Sequence, residues 1–188
     1  MKIAHIKFYV NILDIKLICD YSLFVNRDPF DNVRDQWGQQ RPDLDPSGFE
    51  IFWRIFFLNK DLRRSAGRRL SRLELPNWAF DVLAILRRQG PPFQMSPSVL
   101  CKSVMLSSGA MTNRLDRLQA AGFIERQADP NDRRGLIVQL TERGRAVTDE
   151  AVKIRFDHAN QALNPLSQSE RLQLTNLLRK LVLARVEE

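Results

Sequence analysis

The hydrophobic and polar positions of residues 107–140 first follow a helical pattern. Leu115 and Leu118 recur on one side at helical spacing, and polar or basic residues occupy the positions between and around them. Ser107 is a residue type that begins helices, and Gly122 is a type that ends them. The pattern therefore predicts a helix over residues 107–121 with one apolar and one polar side.

The pattern then changes to the alternation of a β-hairpin. An extended run begins at residues 123–124, a polar Asp-Pro-Asn-Asp turn follows at 129–132, and Leu136, Val138 and Leu140 alternate with other residues. The predicted order is thus a helix with a basic side, a strand, a charged turn and a second strand. This is the order of a winged helix-turn-helix.

Further helices are predicted on both sides of this unit. Pro76 suits the first turn of a helix that the Gly90-Pro91-Pro92 run ends, and Ser96-Pro97 begins the first helix of the helix-turn-helix. The other predicted helices are a short one around residues 31–37, a long one at 49–73, and two at the C-terminal end, 141–162 and 168–186.

The fold class predicted from these elements is mainly α with a small β-hairpin wing, an α+β winged helix-turn-helix. Flanking helices exceed what such a domain needs, and we interpret them as a dimerisation region. The predicted division is residues 1–25 as an extra segment without an assigned role, 26–75 as N-terminal helices for a ligand cap and dimerisation, 76–140 as the DNA-binding domain, and 141–188 as C-terminal dimerisation helices.

Composition narrows the class of protein. The chain of 188 residues has a net charge of +7, which favours a polyanionic partner. The two histidines, His5 and His158, lie in no nucleophile or metal pattern, and no glycine-rich phosphate loop occurs, so we expect no enzyme activity, no metal and no cofactor. The apolar N-terminal run is interrupted by charges, which predicts neither a signal peptide nor a membrane span. The two cysteines, Cys19 and Cys101, form no metal motif and no disulfide framework, and the expected location is a reducing cytoplasm.

A family resemblance rests on one continuous stretch and its flanks. The segment GAMTNRLDRLQAAGFIERQADPNDRRGLIVQLTERGRAV resembles the MarR family of bacterial winged-helix repressors, and the similarity extends over residues 49–186. Within that family the chain is similar to the PecS-like, urate-responsive branch, because of the helix with Trp37, the RPDLDP linker and LPNWAFDVLAILRRQGPP. The resemblance implies a homodimeric repressor that responds to stress and controls an efflux gene as well as its own.

The resemblance also implies a ligand site. In this branch a tryptophan, an aspartate and two arginines are associated with the ligand, and they match Trp37, Asp81, Arg114 and Arg126. Urate is a planar monoanion that a guanidinium binds well, so we expect urate or a related purine as effector. We predict that Asp81 pairs with an arginine in the DNA-binding form, that the anion competes for it, and that Arg114 faces inward from the recognition helix.

The same four residues also have structural interpretations. Trp37 can serve as a packing anchor, Asp81 and Arg114 can form a structural ion pair, and Arg126 can be a solvated strand residue.

Double-stranded DNA is the other expected partner. Two copies of helix 107–121 in a dimer would enter successive major grooves of a pseudo-palindromic operator. Side chains of suitable chemistry for bases or phosphates near the helix start are Ser107, Ser108, Met111, Thr112, Asn113 and Arg117. At the wing, Arg133 and Arg134 suit a minor groove and the resemblance implies that Asp132 orients Arg134; Lys102 and the arginines of 63–72 are further phosphate candidates.

Two other functions remain open at the level of sequence. A thiol-based oxidant sensor would use Cys101 on the first helix of the DNA-binding motif, where oxidation would disturb docking. A ligand-independent DNA-binding protein would show weak sequence preference, which the mixed polar face of residues 107–117 disfavours.

Overall fold

The computed structural model describes residues 27–130 and 132–186, with the backbone alone at 132–134 and 186. The apolar segment 1–25, with its unassigned role, lies outside the described residues. The chain divides between residues 59 and 60 into two compact units, and each is described here by itself.

The first unit contains helix α1, Pro29–Gln40, and the N-terminal part of helix α2, which extends over Ser47–Leu70. Asp28 caps α1 by accepting hydrogen bonds from the backbone N–H groups of Phe30 at 2.8 Å and Asp31 at 3.3 Å. Arg54 of α2 donates to Asp28 at 2.7 Å and to Asp31 at 2.9 Å. One guanidinium thus joins the start of α1 to α2. Burial raises the pKa of Asp28, but hydrogen bonds from Arg54 and from the Phe30 backbone outweigh it and hold that pKa below its ordinary value.

Aromatic rings make the second contact between the two helices of this unit. The ring of Phe30 lies 5.5 Å from that of Trp53 and 5.4 Å from that of Phe57, in tilted and edge-on arrangements. The remaining apolar side chains of this part of α2 are exposed, namely Phe49, Ile51, Phe52, Ile55, Phe56 and Leu58.

The second unit is the winged helix-turn-helix with its flanking helices. Its elements are the C-terminal part of α2, a 3-10 turn Ser71–Leu73, α3 Asn77–Arg88, β1 Gln94–Met95, α4 Pro97–Val104, α5 Ser108–Ala120, β2 Ile124–Asp129, β3 Asp132–Leu140, α6 Glu142–Ala162 and α7 Gln168–Val186. This arrangement of helices with a small antiparallel sheet confirms the predicted fold class, mainly α with a β-hairpin wing.

The sheet is antiparallel and has the order β1-β3-β2. In the hairpin, Ile124 pairs with Leu140, and Arg126 pairs with Val138. Strand β1 adds Gln94 opposite Gln139, a pairing that the sequence pattern did not predict because two residues are too few to show alternation. Among the described strands, β1 therefore pairs with one side of the hairpin, and β2 forms the other edge of the sheet.

The core of this unit lies where α3, α4 and α5 meet the sheet. Leu83, Leu100, Leu115 and Val138, one from each of these elements, are essentially inaccessible to solvent. Burial of such a side chain stabilises the fold by roughly 1.5–3 kcal/mol. Because the apolar side of α5 is fixed in this core, its opposite side is presented to solvent.

The junction between the wing and α6 is closely packed. Thr141 caps α6 by accepting from the Gly144 N–H at 2.9 Å, and its hydroxyl donates to the Gly122 carbonyl at 2.7 Å. A Cβ atom on Gly144 would lie 1.8 Å from the Phe123 carbonyl oxygen, so only glycine fits there. The end of α5, the start of β2 and the start of α6 are thereby held together.

Helix α7 presents its apolar residues to solvent. From Gln168 to Arg185 only Arg171 is even partly buried, and Leu172, Leu177, Leu178 and Leu181 are all exposed. Of the helices within the described residues, none combines the length and apolarity needed to cross a membrane.

Candidate functional site

The N-terminal turns of α5 form the exposed polar surface of the helix-turn-helix. Ser107 accepts a hydrogen bond from the Ala110 N–H at 3.4 Å, and Thr112 donates to the Ser108 carbonyl at 3.0 Å. The side chains of Ser107, Ser108, Thr112 and Asn113 are all exposed. They therefore present hydroxyl and amide groups to solvent at the end of the helix that enters a groove in this class of fold.

Met111 is a correction to the sequence prediction. It was assigned to the DNA-reading side, but its side chain is only 1% exposed and belongs to the core with Leu115 and Leu118. The three residues follow the spacing i, i+4, i+7, which places them on one side of the helix. Met111 is thus a core residue that anchors α5 and cannot reach a base edge.

The two arginines of α5 share one aromatic ring. The guanidinium carbons of Arg117 and Arg114 lie 4.6 Å and 5.7 Å from the centroid of Trp78 on α3. A guanidinium over an indole is attracted by the ring's negative face. The ring therefore holds both side chains against α3, and Arg114 is partly buried there.

Asp81 pairs with a residue that the sequence did not single out. Its carboxylate accepts a hydrogen bond from Arg63 of α2 at 2.9 Å. The structural pair between Asp81 and Arg114 considered from the sequence is therefore wrong for this structure, because the Asp81 carboxylate is bonded to α2 while Arg114 lies over Trp78.

Arg126 is also paired. It donates to the Asp116 carboxylate of α5, and its side chain is 22% exposed. Its interpretation as a freely solvated strand residue is thus wrong. The pair connects the first strand of the wing to the recognition helix.

Trp37 belongs to the other unit and is half exposed at 50%. Among the described residues of that unit, Trp53 contacts the rings of Phe30, Phe49 and Phe56, and no ring contact involves Trp37. The structure places Asp81, Arg114 and Arg126 in the second unit, on α3, α5 and β2.

The wing residues are described by their backbone alone. Asp132 pairs with Asp129 across the hairpin end, next to an irregularity at Ala128 and Asp129. Arg133 and Arg134 follow on β3, so their positions lie at the hairpin's free end. The suggested contact between Asp132 and Arg134 stays a prediction.

Cys101 lies on α4 and is partly buried against the core. Cys19 lies outside the described residues. Among the residues that the structure describes, no group of histidine, cysteine, aspartate and glutamate side chains is arranged to hold a metal ion.

Three residues that matter here escaped the sequence analysis. Arg63 lies in the 63–72 arginine run, which was considered only for phosphates, and Trp78 was noted as part of the segment LPNWAFDVLAILRRQGPP that carries the family resemblance. Arg155 on α6 lay in a long helical pattern without any motif. Of these three residues, only Trp78 could have been found from the sequence. It lies three residues before Asp81 on the same predicted helix, so the two side chains are neighbours on the helix surface.

The buried helix-turn-helix, the exposed polar turns of α5 and the paired hairpin define a winged helix-turn-helix protein. The MarR family model matches residues 73–135. The HTH-type transcriptional regulator PecS of Dickeya dadantii is 33% identical over 147 residues, which cover 78% of this chain and 89% of that protein.

Solved structures of MarR-family proteins are also similar to this chain. A cysteine-to-serine mutant of MarR from E. coli, complexed with operator DNA, has a TM-score of 0.63 at 28% identity and covers 77% of this chain and 96% of its own. AbsC from Streptomyces coelicolor has a TM-score of 0.68 at 18% identity, with 77% and 98% coverage, and shows the fold alone. The chain belongs to the MarR family of winged-helix transcriptional regulators, which confirms the predicted family and the expectation that it is not an enzyme.

Proposed function

We propose that this protein is a homodimeric transcriptional repressor that binds a pseudo-palindromic operator and releases it when a small anionic ligand, urate or a related purine, binds. The observation that carries the proposal is the division of α5, whose apolar side is fixed in the core while its N-terminal polar turn is exposed beside the hairpin. A cytoplasmic location suits such a regulator.

The exposed residues of α5 supply the chemistry for base contacts. Asn113 can donate to and accept from an adenine edge, and Thr112 and Ser108 suit several base or phosphate groups. The net charge of +7 attracts the phosphate backbone. Arg133 and Arg134 at the free end of the hairpin suit the adjacent minor groove, with Asp132 orienting one of them.

The exposed apolar side chains support a dimer. Helix α7 exposes leucines along its length, and the N-terminal part of α2 exposes phenylalanines and isoleucines. Such patches on a globular protein mark an interaction surface. Pairing of two copies would bury them and would place two α5 helices for two half-sites.

The ligand part of the proposal rests on Trp37, Asp81, Arg114 and Arg126. Arg114 and Arg126 are partly buried and offer guanidinium groups, whose planar fork suits a planar anion. Trp37 is half exposed and therefore free to contact a ligand with its indole ring. The match of this chain with PecS of Dickeya dadantii along 89% of that relative supports the assignment to the same branch.

The DNA proposal is tested by fluorescence anisotropy with the DNA upstream of the protein's own gene and with a scrambled duplex. We expect specific binding that weakens by about a thousandfold or more between roughly 50 and 200 mM salt. Asn113→Ala should weaken specific binding, whereas Asn160→Ala, an exposed asparagine of α6, should not. Equal affinity for both duplexes would favour the ligand-independent architectural protein instead.

The ligand proposal is tested by adding urate to the same complex. Wild-type protein should release the DNA, and Arg114→Ala and Trp37→Phe should respond to urate only at higher concentrations. Arg88→Ala, an exposed arginine at the end of α3, serves as the control. Release triggered by peroxide and abolished by Cys101→Ser, with no effect of urate, would support the oxidant sensor.

A further inference from the structure

An excess of positive charge surrounds Asp81. Arg63 donates to its carboxylate at 2.9 Å, and Arg155 of α6 interacts electrostatically with both Asp81 and Arg63. One carboxylate therefore faces two guanidinium groups that come from different helices. The cluster lies wholly within the second unit, and its three side chains comprise two positive charges and one negative charge.

Of the two arginines, Arg63 is hydrogen-bonded to Asp81, whereas Arg155 interacts with that carboxylate only electrostatically. Its guanidinium carbon lies 5.0 Å from the centroid of the Phe80 ring, and its side chain is partly buried. Burial lowers the pKa of Arg155 and repulsion from Arg63 lowers it further, while Asp81 raises it. A second negative group at this place would relieve both effects, since it would offset the lost hydration and separate the two like charges.

The cluster is open to a ligand from solvent. The side chain of Arg63 is 48% exposed and that of Asp81 is 29% exposed. The guanidinium of Arg155 lies over the partly exposed ring of Phe80, so an aromatic ring adjoins the charged groups. The ion pair of Arg63 and Asp81 is therefore accessible to an anion from solvent, and Arg155 beside it is partly exposed.

We propose that Arg63 and Arg155 are the direct partners of a small planar organic anion of the urate class, which binds in competition with Asp81. This inference rests on the proposed ligand response and adds two ligand-binding residues to it. When the anion takes Arg63, the Asp81 carboxylate loses its partner and is repelled by the bound charge.

The first element to respond would then be α3. Asp81 lies three residues after Trp78, whose ring supports Arg114 and Arg117 of the recognition helix. A displacement of α3 at Asp81 would therefore move the ring under the two arginines of α5. The ligand would act on the recognition helix through Trp78 rather than by contacting that helix alone.

The test is isothermal titration of urate into the full chain without DNA. Arg63→Gln and Arg155→Gln should each weaken the Kd about tenfold or more, since each removes a charge-assisted hydrogen bond to the anion. Asp81→Asn should tighten binding, because it removes the competing carboxylate. Arg72→Gln, which breaks the exposed ion pair with Glu150, should bind urate like the wild type.

Arg155→Lys is a second variant for the partly buried position, and thermal melts followed by circular dichroism establish that each variant is folded. Lysine keeps the charge but loses the planar fork, so we expect weakening smaller than that of Arg155→Gln. Unchanged urate affinity in both Gln variants, with lost affinity in Arg114→Ala, would overturn the inference and leave the proposed ligand response intact. Absence of urate binding to the wild type would refute both.

Discussion

The carboxylate of Asp81 is hydrogen-bonded to the guanidinium of Arg63 across 2.9 Å, so the acid that we propose for the ligand response is held by α2 and not by the recognition helix. Both side chains are partly exposed, and such a pair contributes at most about 1 kcal/mol to stability. The pair is thus weak enough for an anion to break. A switch needs a contact of this kind, because a ligand shifts an equilibrium only by its differential affinity for the two states.

The two sides of α5 should respond differently to mutation. Met111→Ala should lower the free energy of unfolding by about 2–5 kcal/mol, because it leaves a cavity in the core. Asn113→Ala should leave stability nearly unchanged and weaken specific DNA binding by about 1–3 kcal/mol. Urea denaturation and fluorescence anisotropy on both variants measure the two quantities. A stable Met111→Ala variant with impaired base recognition would contradict the burial of this side chain.

The comparison of α5 with the sequence shows what a pattern can and cannot predict. The helix boundaries and the Leu115–Leu118 stripe followed from periodicity, and the same spacing already contained Met111. Met111 was assigned to the DNA-reading side because a methionine side chain can contact a base as well as pack in a core, although its spacing from Leu115 and Leu118 already placed it on the apolar side. Position on a helix gives the better prediction when the two disagree.

The partners of Asp81 and Arg126 could not be predicted from the sequence, because tertiary packing brings each pair together. Arg63 is separated from Asp81 by a turn and part of two helices, and its side chain reaches the acid only through the packing of α2 beside α3. Arg126 meets Asp116 because the chain reverses at Gly122. Charge patterns indicate which residues can pair, but the tertiary fold decides which of many arginines does.

Trp78 should be energetically coupled to Arg117. The single variants Trp78→Leu and Arg117→Gln and the double variant form a mutant cycle whose coupling energy, from chemical denaturation, should be about 0.5–2 kcal/mol. The reason is the 4.6 Å separation of the guanidinium carbon and the ring centroid. A parallel cycle of Trp78 with Arg88 at the end of α3 should give a coupling energy near zero. Equal values in the two cycles would remove the ring's special role.

Gly144 should tolerate no side chain. In Gly144→Ala the new Cβ would overlap the Phe123 carbonyl oxygen, so the start of α6 must move away from the wing. We expect a loss of about 3 kcal/mol in the free energy of unfolding. Gly109→Ala is the matched control in the same unit, since nothing lies within 4 Å of its added Cβ, and it should leave stability unchanged or raise it by up to about 1 kcal/mol, because alanine favours a helix over glycine. Similar stabilities of the two variants would disprove the close contact.

Stability should fall as the pH is lowered through the range where histidine titrates. Burial of the His158 ring, followed by repulsion from Arg69 and Arg155, lowers its pKa from 6.5, and Asp61 only partly opposes this. The unfolded chain therefore binds a proton at a higher pH than the folded chain, so the contribution of neutral His158 is complete above about pH 6.5 and is lost as the pH falls through the lowered folded pKa.

The His158→Gln variant isolates this effect. Glutamine can still reach Ser65, whose hydroxyl oxygen lies 3.0 Å from the histidine Nε2, but it does not titrate. Denaturation midpoints between about pH 7.5 and 5.5 should decrease in the wild type and change less in the variant. Parallel pH profiles would mean that another group is responsible.

Helix α7 should hold the dimer together. Leu177 and Leu181 are one turn apart on α7 and are 64% and 45% exposed in the single chain. Exposure of apolar side chains to water is unfavourable, and a second copy of the chain would bury them. The double variant Leu177→Lys/Leu181→Lys should be monomeric in sedimentation velocity and should lose cooperative binding to the full operator while it keeps its helical circular dichroism. The control Gln173→Lys/Asn176→Lys adds the same charge to exposed polar positions of α7 and should stay dimeric. A wild-type chain that sediments as a monomer, or a leucine variant that sediments as a dimer, would place the interface elsewhere, with the exposed apolar side chains of α2 as the remaining candidate.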